Sequence, residues 1–173
     1  ISPLDLILPR AQKVGAFVVL DTCQSAAHLP LDFRALKAAG VDAMVLSSHK
    51  MLGPTGIGAL VATEELLAAM PPVLTGGSMI EVVTMESSTY MSGPPRFEAG
   101  SQPLAQAAGW RTAVDYLARI GLDRLHATEQ ALTRQVLEGL DQAPGLRLVG
   151  PSDTTDRLGV VAFSIEGVHP HDV

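Results

Sequence analysis

Ala16-Phe17-Val18-Val19-Leu20-Asp21, and then Asp42-Ala43-Met44-Val45-Leu46-Ser47 with Ser48-His49-Lys50 directly behind it, are the stretches on which the fold turns. Both are largely apolar runs of strand length. They read as buried strands of a parallel sheet, with Asp21 closing the first at the end that faces a site. Between them, residues 32–39 read as a short helix capped by Asp32 and stopped by Gly40. Strand, helix and strand in that order predict an α/β protein. In a parallel sheet both strand ends open on one edge. Asp21, Gln24 three residues later, and Lys50 are therefore expected to face one pocket.

Outward from this centre the alternation continues. Residues 57–62 predict a third strand, and Thr63 a helix cap, with Glu64 and Glu65 in the first turn where the helix dipole favours them. Pro71-Pro72 ends that helix. Residues 75–100 carry many Gly, Ser, Thr, Met and Pro and little periodicity, as in a functional or subunit-bridging segment. Ser101 is expected to cap a long helix with Pro103 in its first turn, burying Leu104, Ala107, Ala108, Val114, Leu117 and Ala118. Gly121 breaks it. A second helix follows to about residue 141, with Leu122, Leu125, Leu132, Val136 and Leu140 inward, and residues 146–149 and 159–165 read as strands. The change of character near Gly121 marks a boundary: residues 1–120 as one domain, 121–173 as the start of a smaller one. Residues 1–15 read as most of an amphipathic helix with Leu4, Ile7 and Leu8 on one face. Neither end carries a clear start or stop, so the chain reads as part of a longer one.

Composition narrows the function classes. The 173 residues are 47% hydrophobic and 17% charged, enough to form a core. Eighteen acids against twelve bases give a net charge of −6, with the cations scattered. No basic stripe exists to neutralise a phosphate backbone, which argues against nucleic acid. No apolar run approaches the roughly 20 residues that span a bilayer. The single cysteine, Cys23, forms no internal disulfide, so a reducing cytoplasm is the expected compartment.

Only three of the twelve bases are lysine, and Lys50 is the only formally charged residue from Ala43 to Leu60. A lysine in such surroundings, a carboxylate at a strand end and a nearby amide suit pyridoxal phosphate chemistry. The lysine forms the Schiff base, and the carboxylate keeps the pyridine nitrogen protonated so that the ring accepts electrons. Spacing alone leaves a plainer reading open, with Asp21 a helix cap and Lys50 a surface residue whose stem lies on apolar neighbours.

Val19-Leu20-Asp21-Thr22-Cys23-Gln24-Ser25-Ala26-Ala27-His28 and Leu46-Ser47-Ser48-His49-Lys50-Met51-Leu52-Gly53-Pro54-Thr55-Gly56-Ile57-Gly58 resemble the class V, fold-type I aminotransferase superfamily. More narrowly, they are similar to its group II cysteine desulfurase and selenocysteine lyase branch. Pro71-Pro72 with Gly76-Gly77-Ser78-Met79-Ile80, then Arg96-Phe97-Glu98-Ala99-Gly100-Ser101, then Gly167-Val168-His169-Pro170-His171-Asp172-Val173 extend the resemblance in order along nearly the whole chain. It implies a pyridoxal 5′-phosphate enzyme of fold type I, with part of the large-domain, mostly parallel sheet and the start of a small α+β domain. It also implies a homodimer. Lys50 would be the Schiff-base lysine and proton shuttle. Asp21 would pair with the pyridinium nitrogen and Gln24 with the phenolic oxygen, while Ser47 and His49 would bind the phosphate. Ser101 would reach that phosphate from the second subunit, at a position where the family more often has threonine. The implied reaction takes cysteine to alanine and passes sulfur to a protein cysteine, then to an acceptor for iron–sulfur cluster assembly. The stacking ring, the nucleophilic cysteine and the substrate arginine of the family are not within residues 1–173. Cys23 matches a small-residue position beside the cofactor and reads as a packed thiol.

Other members of the superfamily, a selenocysteine lyase or an amino-acid epimerase, fit the same motifs, as does a non-catalytic assembly partner. His169-Pro170-His171 reads as a turn rather than a metal pair, and no metal site is expected. His28 and His126 read as packing or surface residues.

Overall fold

A computed structural model of the chain describes residues 1–173. Strands β1 (Val19–Asp21), β2 (Ala43–Ser47) and β3 (Gly58–Ala62) form one sheet in that order. β1 and β2 run parallel, with Asp21 opposite Val45. Helix α2 (Phe33–Ala39) makes the crossover between them. Its start is set by Asp32, whose carboxylate accepts the Arg34 N–H, and its end by Gly40 in the left-handed region at φ 105°. A side chain at position 40 would also run into Gln12 of the first helix, α1 (Leu4–Lys13).

β3 forms the antiparallel margin of this sheet. It runs antiparallel to β2, with Ala43 opposite Ala62 and Ser47 opposite Gly58. The link between the two strands is shorter than the dozen or so residues a parallel crossover takes, so the chain returns antiparallel. β1 is less buried than its apolar run implies. It pairs with β2 on one side only, which leaves Phe17 61% and Val19 54% exposed.

Helix α3 (Glu64–Ala69) starts where expected, with the Thr63 hydroxyl accepting the Leu66 N–H. Helices α4 (Leu104–Ile120) and α5 (Leu122–Asp141) meet at Gly121, whose φ of 86° gives the break. Ser101 does not cap α4. Pro103 occupies the cap position, no side chain caps the helix, and Ser101 lies exposed just outside it. The inward faces differ too. Ala113 and Leu117 are buried on α4, Thr133 and Leu137 on α5, while Leu104, Val114, Leu132 and Val136 are exposed. An apolar stripe shows that a helix has a face to cover, and neighbours decide which part is covered. On α1 likewise, only Leu8 is buried.

The aperiodic region holds a hairpin that the sequence did not announce, β4 (Ile80–Val83) with β5 (Ser88–Tyr90), irregular in register between Ile80 and Val82. Met79 at its base is fully buried and accepts the Met91 N–H on its carbonyl. β6 (Leu146–Val149) and β7 (Ala162–Ile165) form a second antiparallel pair; β7 begins three residues later than its apolar pattern suggests. His169 Nδ1 accepts the His171 N–H, which closes the turn expected there. No helix is long and apolar enough to cross a membrane.

Candidate active site

The site grows from the ends of β1 and β2. After Asp21 the chain turns sharply, because Thr22 is tied back to the neighbouring strand. Both its N–H and its hydroxyl donate to the Val45 carbonyl, at 3.1 Å and 2.7 Å. Ser25 and Ala26 then donate their N–H groups to the Thr22 carbonyl, and Ala26 and Ala27 are buried. This turn presents Asp21 and Gln24 on the surface of the sheet edge.

Asp21 is exposed, not buried as the strand pattern implied. Its Oδ1 accepts the Cys23 N–H at 3.0 Å. That bond and then the Cys23 thiol hold the carboxyl below its ordinary value against desolvation, and the positive charge of Lys50 adds a lesser lowering. The Cys23 thiol moves the other way, raised by its bond to Asp21, by burial and by the carboxylate charge. Asp21 is thus kept ionised beside a neutral thiol.

Lys50 ends the 3-10 turn Ser48–Lys50 that directly follows β2. Two features fix that turn. Ser48 is fully buried, and its carbonyl accepts the N–H groups of Met51 and Gly53. Gly53 packs so closely that a Cβ there would run into the Ser48 hydroxyl and lie 3.1 Å from Trp110 of α4. Between them Leu52 is held in the left-handed region at φ 61°, a conformation that costs a leucine about 1 kcal/mol. Sequence reading passed over Trp110 and the strained Leu52. The glycine spacing at Gly53, Gly56 and Gly58 is the one signal that pointed at them. Ser47 Oγ lies 2.9 Å from His49 Nδ1. With the hydroxyl donating, the neutral ring carries its proton on Nε2.

Asp21 and Gln24 line a cavity of about 450 Å³ with Leu20 and Leu36, and Arg157 and Val160 form part of the same lining. Its size suits a small ligand. Ser47, His49 and Lys50 are not in that lining, so the expected single pocket is in this chain a cavity with a basic turn on the adjoining edge. Ser101 lies apart, in a separate hollow with Ser78, Pro95 and Glu98.

The parallel strand pair thus has a carboxylate at the end of one strand and a lysine just past the end of the other. The family described as aminotransferase class-V matches residues 1–173, and the chain belongs to it. It is 48% identical to a probable cysteine desulfurase of Streptomyces coelicolor, over 99% of this chain and 40% of the relative. It is also 48% identical to probable cysteine desulfurase 2 of Mycobacterium leprae, over 100% of this chain and 41% of that one. The crystal structure of the Escherichia coli cysteine desulfurase CsdA (S-sulfonic acid) superposes with a TM-score of 0.88 at 33% identity, covering 98% of this chain and 41% of that one. A lysine-to-alanine mutant of C-DES with glycine covalently linked to the PLP cofactor gives 0.82 at 26% identity, over 96% and 44%. The chain therefore has the fold of the fold-type I PLP enzymes and spans about two fifths of the length of the curated relatives it matches.

Proposed function

We propose that this chain is the lysine-bearing part of a pyridoxal-phosphate-dependent cysteine desulfurase. The whole protein is a cytoplasmic homodimer that converts L-cysteine to L-alanine. It hands the sulfur to a cysteine outside residues 1–173 and from there to an acceptor protein. Residues 1–120 belong to its cofactor-binding domain and residues 121–173 begin the smaller one. The observation that carries this reading is the parallel pairing of β1 with β2, with Asp21 at the end of β1 and Lys50 three residues past the end of β2.

The donor set suits the cofactor. Its pyridine nitrogen, phenolic oxygen, aldehyde and phosphate call for an ionised carboxylate, an amide, an amine and neutral hydrogen-bond donors, and each is present at this edge. Asp21, kept ionised by Cys23 and Lys50, accepts the N–H of the pyridine nitrogen. The Gln24 amide donates to the phenolic oxygen. His49 Nε2 would donate to the phosphate, the Ser47 hydroxyl would do so when turned away from His49 Nδ1, and Ser101 would do so from the partner subunit. Lys50 Nζ would be the covalent anchor and, as a free amine, the base for the substrate Cα proton. The bound cofactor supplies an electron-accepting ring.

The test is product analysis with the full-length protein, using cysteine, selenocysteine and a panel of other amino acids. Alanine formed from cysteine together with a persulfide on the protein is expected. Racemised amino acid without alanine, or turnover of selenocysteine alone, would replace this reading by an epimerase or a selenocysteine lyase.

A further inference from the structure

Gln24 is held in a turn that has one tie to the chain behind it and another to a distant helix. The near tie is Thr22 on the Val45 carbonyl. The far one is His28, which ends the turn: its N–H donates to the Ser25 carbonyl, and its Nδ1 lies 2.6 Å from Glu129 Oε1 on α5. An imidazole carrying its proton on Nδ1 makes this a short contact with the Glu129 carboxylate. The pair is sheltered, with the two side chains 34% and 24% exposed. Ala26 and Ala27 bury only methyl groups in the same turn, and such contacts permit sliding that a short charged contact resists.

α5 holds the other wall of the cavity as well. Next to Glu129, the Gln130 amide donates to the Arg157 carbonyl at 2.9 Å. The Arg157 guanidinium in turn donates to the carbonyls of Pro151 and Val160. Pro151, Arg157 and Val160 share the lining of the cavity with Asp21 and Gln24. Gly159 packs against Glu129 itself: a Cβ there would lie 3.5 Å from Oε1. Two consecutive residues of one helix thus tie both walls.

We propose that Glu129 is a positioning residue. Acting through His28, it sets residues 22–28, and with them Gln24 and the Cys23 that holds Asp21, relative to the wall formed by residues 151–160. Its catalytic consequence rests on the desulfurase reading above; its structural one does not.

The experiment compares full-length wild type with Glu129→Gln, His28→Asn and the double variant, with and without pyridoxal phosphate. Amide hydrogen exchange reads the structural part. The Ala26 and His28 amides are expected to exchange about fivefold faster in either single variant, the size of a partly exposed ion pair, while β2 amides paired with β3 stay unchanged. With cofactor bound, a fall in kcat of about the same factor is expected with KM nearly constant, together with a shift in the cofactor's visible band. The double variant should lose no more than the worse single one, because both residues act through one contact. Unchanged exchange at Ala26 and His28 in both single variants, or losses that multiply in the double, would overturn the proposal. If Glu129→Gln does not fold, Glu129→Asp takes its place; it keeps the charge, shortens the reach and should show the same faster exchange. A wild type without cofactor or activity would defeat the desulfurase reading and leave the exchange comparison decisive for this one.

Discussion

Asp21 accepts the backbone N–H of Cys23 and has the Cys23 thiol and the Lys50 charge acting on it, so its charge and that of Cys23 are set together. The thiol is raised because the neighbouring carboxylate disfavours a thiolate. Replacing Asp21 by Asn should therefore lower the thiol and speed alkylation of Cys23 by iodoacetamide at about pH 8. An unchanged alkylation rate in the full-length variant would show that Asp21 does not control Cys23. The acid side has the opposite sign. The folded value of Asp21 lies below its unfolded value of about 3.9, so its ionised form favours folding above that pH, and the contribution is lost as pH falls through the lower folded value. Asp21→Asn should flatten the loss of urea resistance below about pH 4. An identical acid profile for variant and wild type would contradict this. At this scale the sequence was readable for Asp21, Gln24 and Lys50, because a charge that closes or interrupts an apolar run stands out. It read His28 only as a packing or surface residue and was silent on Glu129, since a salt contact between remote residues leaves no local pattern.

Among the elements, those whose limits are written in side-chain chemistry were legible and those limited by neighbours were not. Asp32, Gly40 and Thr63 mark ends of α2 and α3 because each satisfies or frees a backbone group locally. The covered faces of α4 and α5, the exposure of β1 and the antiparallel return of β3 depend on what lies alongside. The β4–β5 hairpin escaped because its short strands are irregular in register and mostly exposed, so no clean alternation exists. The turn after β2 offers the sharpest element-level test. Gly53→Ala places a methyl group against the Ser48 hydroxyl and close to Trp110, where there is no room for it. Overpacking of this kind costs about 1–3 kcal/mol. The Lys50 turn must shift to relieve it, so Schiff-base formation by the full-length variant should fall along with its melting temperature. Wild-type stability and cofactor content in Gly53→Ala would show that the Gly53–Trp110 packing does not set the turn.

Over the whole molecule, surface decides the argument. The chain exposes 11832 Å², whereas a folded monomer of 18.1 kDa exposes about 8,100 Å² by surface-to-mass scaling. The excess is larger than one partner's share of an ordinary protein interface, about 800 Å². Much of it is apolar: Met85 is 97% exposed, Val73 91%, Leu104 76% and Leu74 75%. The 173-residue chain expressed by itself should therefore self-associate, and light scattering behind gel filtration measures this. A stable monomer at tens of micromolar would mean that these faces need no cover. The assignment of Lys50 stands or falls on a different measurement. Full-length protein saturated with pyridoxal phosphate is reduced with borohydride, digested and mapped by mass spectrometry. Within this chain Lys13, Lys37 and Lys50 are the only lysines that can carry the phosphopyridoxyl adduct. The adduct is expected on Lys50 and absent from Lys50→Ala, whereas an adduct on another lysine, or undiminished trapping in Lys50→Ala, would contradict the site built here.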